Sequence, residues 1–155
     1  MPTQKLQPIE IVSGGHKMTV TEAASQSFKI GQPIYLVGGK ATAVASNGTV
    51  VWGLALENAS GVEDTENDVH VIDSNTILRG NVYHSTAASA VTAVANLGIK
   101  YALYVADNKA YVDIEDTSND AVVIVSLDPA EVGDIYGRCK FKFIPAVLQS
   151  EAAAT

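Results

Sequence analysis

The chain has 155 residues, 47% of them hydrophobic, which is enough apolar material for one core. Its 10 Lys and Arg stand against 17 Asp and Glu, a net charge of −7 that leaves no cationic excess for a phosphate backbone, so no nucleic-acid partner is expected. The single cysteine, Cys139, excludes a disulfide framework and a cysteine zinc site. No apolar run reaches the ~18 residues of a membrane span, and no basic-then-apolar signal segment opens the chain.

Residues 1–15 (MPTQKLQPIEIVSGG) are expected to form an extended N-terminal arm. Pro2, Pro8 and Gly14-Gly15 keep them out of a long central strand, yet Leu6, Ile9, Ile11 and Val12 need a surface. Pro8, Ile9, Glu10, Ile11 and Val12 are therefore candidates for an extended contact, donating main-chain hydrogen bonds to an exposed strand edge of a partner protein or of a neighbouring subunit. The alternative is that Ile9–Val12 is the first strand of the chain's own barrel. Next, Thr19 and Glu22 have capping-box spacing, which predicts a helical turn within Thr19–Phe28.

From Phe28 onward Val, Ile and Thr predominate, and two-residue turns punctuate them. Gly38-Gly39, Asn47-Gly48 and Asp107-Asn108 suit type I′ turns, in which both central residues take positive φ. The second predicts Ala45 opposite Val50 and Ala43 opposite Trp52; the third predicts Tyr104 opposite Tyr111. Further strands are expected at Val50–Leu56, Val69–Asp73, Thr76–Tyr83, Ala121–Leu127 and Gly137–Ile144. Ser60–Asp68 and Glu115–Asp120 read as acidic loops. Ser85–Leu97 is Ala-rich with Val91, Thr92 and Val94, so its period does not decide between helix and other structure. Asp128-Pro129-Ala130-Glu131 predicts one or two helical turns. The sum is an all-β (mainly β) fold: a small β-barrel or barrel-like sandwich with one or two short helices, over 16–149, and a frayed tail over 150–155. Leu36, Val44, Val51, Leu54, Val105, Val123, Phe141 and Phe143 are expected to point inward.

Local catalytic patterns fail. His16, His70 and His84 show no metal spacing. Asp64–Asp68 lacks the glycine and terminal glutamate of a calcium loop. Cys139 falls on the inward side of an alternating strand, where a thiol is a small hydrophobe. No nucleophile elbow and no P-loop occurs. Neither cofactor nor metal is expected, and the chain is not expected to be an enzyme. The concentrated positive feature is Arg138, Lys140 and Lys142, alternating outward along Gly137–Ile144. They form either a solvated face that blocks edge pairing or a contact with an acidic partner.

Gly31-Gln32-Pro33-Ile34-Tyr35-Leu36, then Asn47-Gly48, then Val51-Trp52-Gly53-Leu54-Ala55 resemble the opening of small β-barrel head decoration (capsid cement) proteins of tailed bacteriophages. Asp128-Pro129, Gly133-Asp134 and Gly137-Arg138-Cys139-Lys140-Phe141 resemble their closing segment. The likeness spans roughly 28–144 and leaves Ser85–Leu97 unmatched. It implies a non-catalytic structural virion protein, commonly a homotrimer, bound to the major capsid protein on the outside of the phage head. An N-terminal arm like 1–15 would add to that surface. Another virion or surface β-module, such as a tail or fibre domain or a ligand-binding barrel, is the alternative.

Overall fold

In the computed structural model, which describes residues 2–151, β-branched runs reversed by glycine- and asparagine-bearing turns give eleven strands. They are β1 (Glu10–Ser13), β2 (His16–Thr21), β3 (Pro33–Val37), β4 (Lys40–Ala43), β5 (Gly53–Ala55), β6 (Glu66–Val71), β7 (Ile77–Tyr83), β8 (Lys100–Ala106), β9 (Lys109–Asp113), β10 (Val122–Leu127) and β11 (Arg138–Phe143). Among the described residues helical structure is confined to 3-10 turns at Ala87–Ser89, Val94–Asn96 and Pro145–Val147.

Two sheets share the work. One runs β1-β7-β11-β10-β8-β9 and closes on itself because β9 also pairs in parallel with β7, Val82 opposite Val112 and Tyr83 opposite Asp113. This is a closed five-strand barrel with β1 added outside it. The other sheet runs β2-β6-β5-β3-β4, and its ends approach where the Ala23 amide donates to the Ala41 carbonyl at 3.0 Å. The barrel interior holds Leu78, Val82, Leu103, Val112, Val122, Ile124, Cys139, Phe141 and Phe143. Val44, Val51, Leu54 and Ile72, from in and around the second sheet, join the same cluster. A smaller cluster, with Phe28, Ile34, Trp52 and Val69, fills the second sheet.

The hairpins at Gly38-Gly39 and Asp107-Asn108 form as expected, with positive φ at all four turn residues and Tyr104 opposite Tyr111. The one at Asn47-Gly48 does not form. The turn there is centred one residue earlier, with Gly48 N–H donating to the Ala45 carbonyl at 3.1 Å. The flanking chain takes distant partners instead: Asn47 N–H reaches Leu103 O at 2.9 Å and Trp52 N–H reaches Ile34 O at 2.8 Å. The expected helical turn near Thr19 is replaced by β2, which pairs with β6 along its whole length. Ser85–Leu97 contains two 3-10 turns and no α-helix, and Asp128–Glu131 is a hydrogen-bonded turn. Val123 points outward, because the buried residues of β10 are Val122 and Ile124. Leu36 and Val105 are half-buried against the cores, and the other expected core residues are buried.

Candidate partner-binding face

The N-terminal segment lies on its own chain. Gln4 N–H donates to Ile135 O at 2.8 Å, Ile135 N–H to Pro2 O at 2.9 Å, and Gln7 N–H to Asn81 Oδ1 at 2.9 Å. The Asn81 side chain, with no exposed surface, returns a bond to Lys5 O at 3.1 Å. Ile9 is buried in the main core, and Glu10 and Ile11 pair with Arg79 and Leu78 of β7. The reading of 1–15 as a free arm is thus corrected: Glu10–Ser13, directly after the buried Ile9, supplies the first strand of the chain's own barrel sheet. The alternation that marked Ile9 and Ile11 as needing cover was sound, and the cover is intramolecular. Gly14 and Gly15, at φ +83° and +71°, then turn the chain from this sheet into the other, with no room for a side chain at either position.

Registers put Glu10, Arg79, Lys140 and Ser126 opposite one another in successive strands β1, β7, β11 and β10. Directly opposed residues share a face, so this row crosses the outside of the barrel. It borders a groove of about 500 Å³ lined by Glu10, Ile11, Val12, Arg79, Asp128 and Lys140, among others. The structure therefore brings together Glu10, Ile11, Val12 and Lys140. Pro8 and Ile9 stay outside the groove. Arg79, Leu127 and Asp128 belong to it and were missed. Arg79 occupies an outward position of the expected Thr76–Tyr83 strand, but only the strand order shows that β7 lies between β1 and β11.

Charge within the row is unevenly matched. Arg79 contacts Glu10 at 3.4 Å, Asp128, and Glu131 at 3.5 Å. Burial lowers its pKa, but the bond to Asp128 and the neighbouring carboxylates outweigh that and raise it, so the guanidinium stays charged. Arg138 Nε donates to both oxygens of the buried Glu131, at 3.1 and 3.0 Å. Its charge is spent inside the molecule, so the three-member ridge read from sequence shrinks to two. Lys140 is exposed and Lys142 half-buried on the outward side of β11, and neither forms an ion pair among the described residues.

Cys139, between Arg138 and Lys140 in sequence, points into the barrel, where burial pushes its thiol pKa up to about 12. Among the described residues no cluster of His, Cys, Asp and Glu has a geometry that would hold a metal. At the other end of β7, Tyr83 stacks on Tyr104 at 3.9 Å and flanks Tyr111 and Tyr136 at 6.2 and 6.5 Å. These rings lie over the β7–β9 seam, where the ladder is only two residue pairs long, and their packing reinforces the closure. No known family model matches the chain, and no curated protein does.

Proposed function

We propose that this chain is a structural virion protein that binds the outer surface of a phage capsid and stabilises it, with no catalytic turnover. The reading rests on the resemblance over residues 28–144 to capsid decoration proteins. The structural observation that supports it is the outward row Glu10–Arg79–Lys140, which borders a groove beside β1, with Lys140 forming no ion pair among the described residues. β1 stands at the end of the barrel sheet's strand order, a position that offers main-chain groups to a neighbour. The major capsid protein is the partner, a closed homotrimer the working form, and the outside of the head the location. Several weak contacts held rigidly in one trimer act together, which suits a shell-binding role.

The test is to mix the purified chain with undecorated expanded capsids. Saturable binding at a fixed ratio to capsid subunits, with a rise in the temperature at which the capsids rupture, is the expected result. Absence of binding at micromolar protein would overturn the reading. Sedimentation that shows only monomer, both free and after release from capsids, would remove the trimer.

A further inference from the structure

The outer face formed by β8, β10 and β11 combines features that the groove beside β1 does not. Val123 of β10 lies opposite Lys100 of β8 on one side and Lys142 of β11 on the other. These three side chains therefore form one outward row. The next row contains Lys140, opposite Ser126, and the irregularity between Ile124 and Ser126 leaves Val125 beside it, 42% exposed. Lys100 of β8 and Lys140 and Lys142 of β11 thus flank two outward valines of β10. None of the three has a carboxylate within ion-pair distance among the described residues.

Elsewhere Lys17 meets Asp68 and Lys40 meets Glu63 and Asp64, each at 2.9 Å, while Lys5, Lys29 and Lys109 are unpaired among the described residues but sit on separate elements, so this face differs in gathering three unpaired lysines on the strands that flank β10. Both arginines are paired as well. A cluster of lysines without ion pairs on a negative molecule orients encounter: the acidic surface elsewhere repels an acidic partner while this face attracts it. Outward β-branched side chains at its centre add apolar area that gains from being covered.

We infer that the β8–β10–β11 outer face, through Lys100, Lys140 and Lys142 around Val123 and Val125, docks a carboxylate-bearing protein surface with an apolar centre. This rests on the capsid-docking reading and names the face and the partner chemistry. A nucleic-acid or anionic-lipid partner is disfavoured, because three lysines do not offset the repulsion of a chain at −7 from a continuous array of phosphates.

The experiment measures binding of three proteins to undecorated expanded capsids across a salt series: the natural chain, a K100E/K142E variant, and a K29E/K109E variant that carries the same charge change at unpaired lysines elsewhere. The face reading expects the first variant to lose about tenfold or more in affinity at low salt, with the gap narrowing as ions screen it, and the second to bind nearly normally. V125S should bind more weakly at every salt concentration while melting like the natural chain. Normal binding by K100E/K142E, or an equal loss in K29E/K109E, overturns the face while leaving capsid docking intact. No binding by the natural chain overturns both. Capture of duplex DNA or phosphatidylserine vesicles through the same lysines overturns the assignment to a protein surface.

Discussion

Glu22 is a carboxylate with no exposed surface, and it organises a loop distant in sequence. It accepts hydrogen bonds from Ser60 N–H at 3.1 Å, Ser60 Oγ at 3.0 Å, Gly61 N–H at 2.8 Å, and the Asn67 amide. Burial pushes its pKa up, but the Ser60 amide and the other donors outweigh that and hold it below the usual range. Removing the carboxylate leaves the buried Asn67 amide unmatched and frees the Ser60 and Gly61 donors, so Glu22→Ala should cost about 1–3 kcal/mol in urea unfolding. It should also speed amide exchange in Ser60–Asp64. The same logic governs acid sensitivity. Asp116 accepts from the Asn119 side chain at 2.9 Å and the Ser118 amide at 2.8 Å, which lower its pKa from 3.8 to about 2. A carboxyl with a depressed folded pKa contributes fully above its unfolded value, and the contribution fades as pH falls through the folded one. Asp116→Asn should therefore flatten the loss of stability between pH 4 and 2, and an unchanged acid limb would count against it. None of Glu22's role was legible beforehand. Thr19-x-x-Glu22 is a local pattern, and the partner that converts it into a strand, β6, begins far along the chain at Glu66.

At the scale of elements, turns were readable where both flanking strands pair with each other and unreadable where the tertiary fold supplies another partner. Asp107-Asn108 gave the register of β8 and β9 because those strands have a direct hairpin connection. Asn47-Gly48 carries the same signal, but Val44, Asn47 and Trp52 send their amides to Pro33, Leu103 and Ile34. Alternation identified Cys139, Phe141 and Phe143 as inward because β11 carries polar residues on one side only. In β10 every candidate residue from Val122 to Val125 is apolar, so side chains alone gave no sign of which way Val123 faces. The N-terminal strand falls between these cases. Its apolar spacing was visible, and its partner β7 was not. Because Ile9 is 3% exposed in the main core, Ile9→Ala should destabilise the chain by about 2–4 kcal/mol. Deletion of 2–13 should lower the melting temperature steeply. A truncated chain that melts like the full one would restore the free-arm reading.

The chain path ties the whole molecule together in a way that makes independent unfolding of the two sheets costly. β1 adds to the barrel, and the Gly14-Gly15 corner carries the chain directly into β2 of the other sheet. Ile72–Thr76 returns it to β7, with Ile72 N–H bonded to Trp52 O at 3.0 Å on the way. After β11 the chain comes back once more: Val51 N–H donates to Val147 O and Gln149 N–H to Val51 O, both at 2.8 Å. Val51 and Leu148, both without exposed surface, belong to the cluster that fills the barrel. Opening either sheet therefore exposes apolar area shared with the other, and the free energy of doing so rises with that area. Natural probes separate the two regions. The single tryptophan, Trp52, sits in the second sheet's cluster, while Tyr83, Tyr104 and Tyr111 sit on the barrel and the Cys139 thiol lies inside it. In a urea titration, tryptophan fluorescence, tyrosine absorbance and thiol labelling should give one coincident transition. Val51→Ala should shift all three midpoints down together, by an amount corresponding to about 1–3 kcal/mol. Separate midpoints for Trp52 and Cys139 would instead mean that the two sheets unfold as independent units.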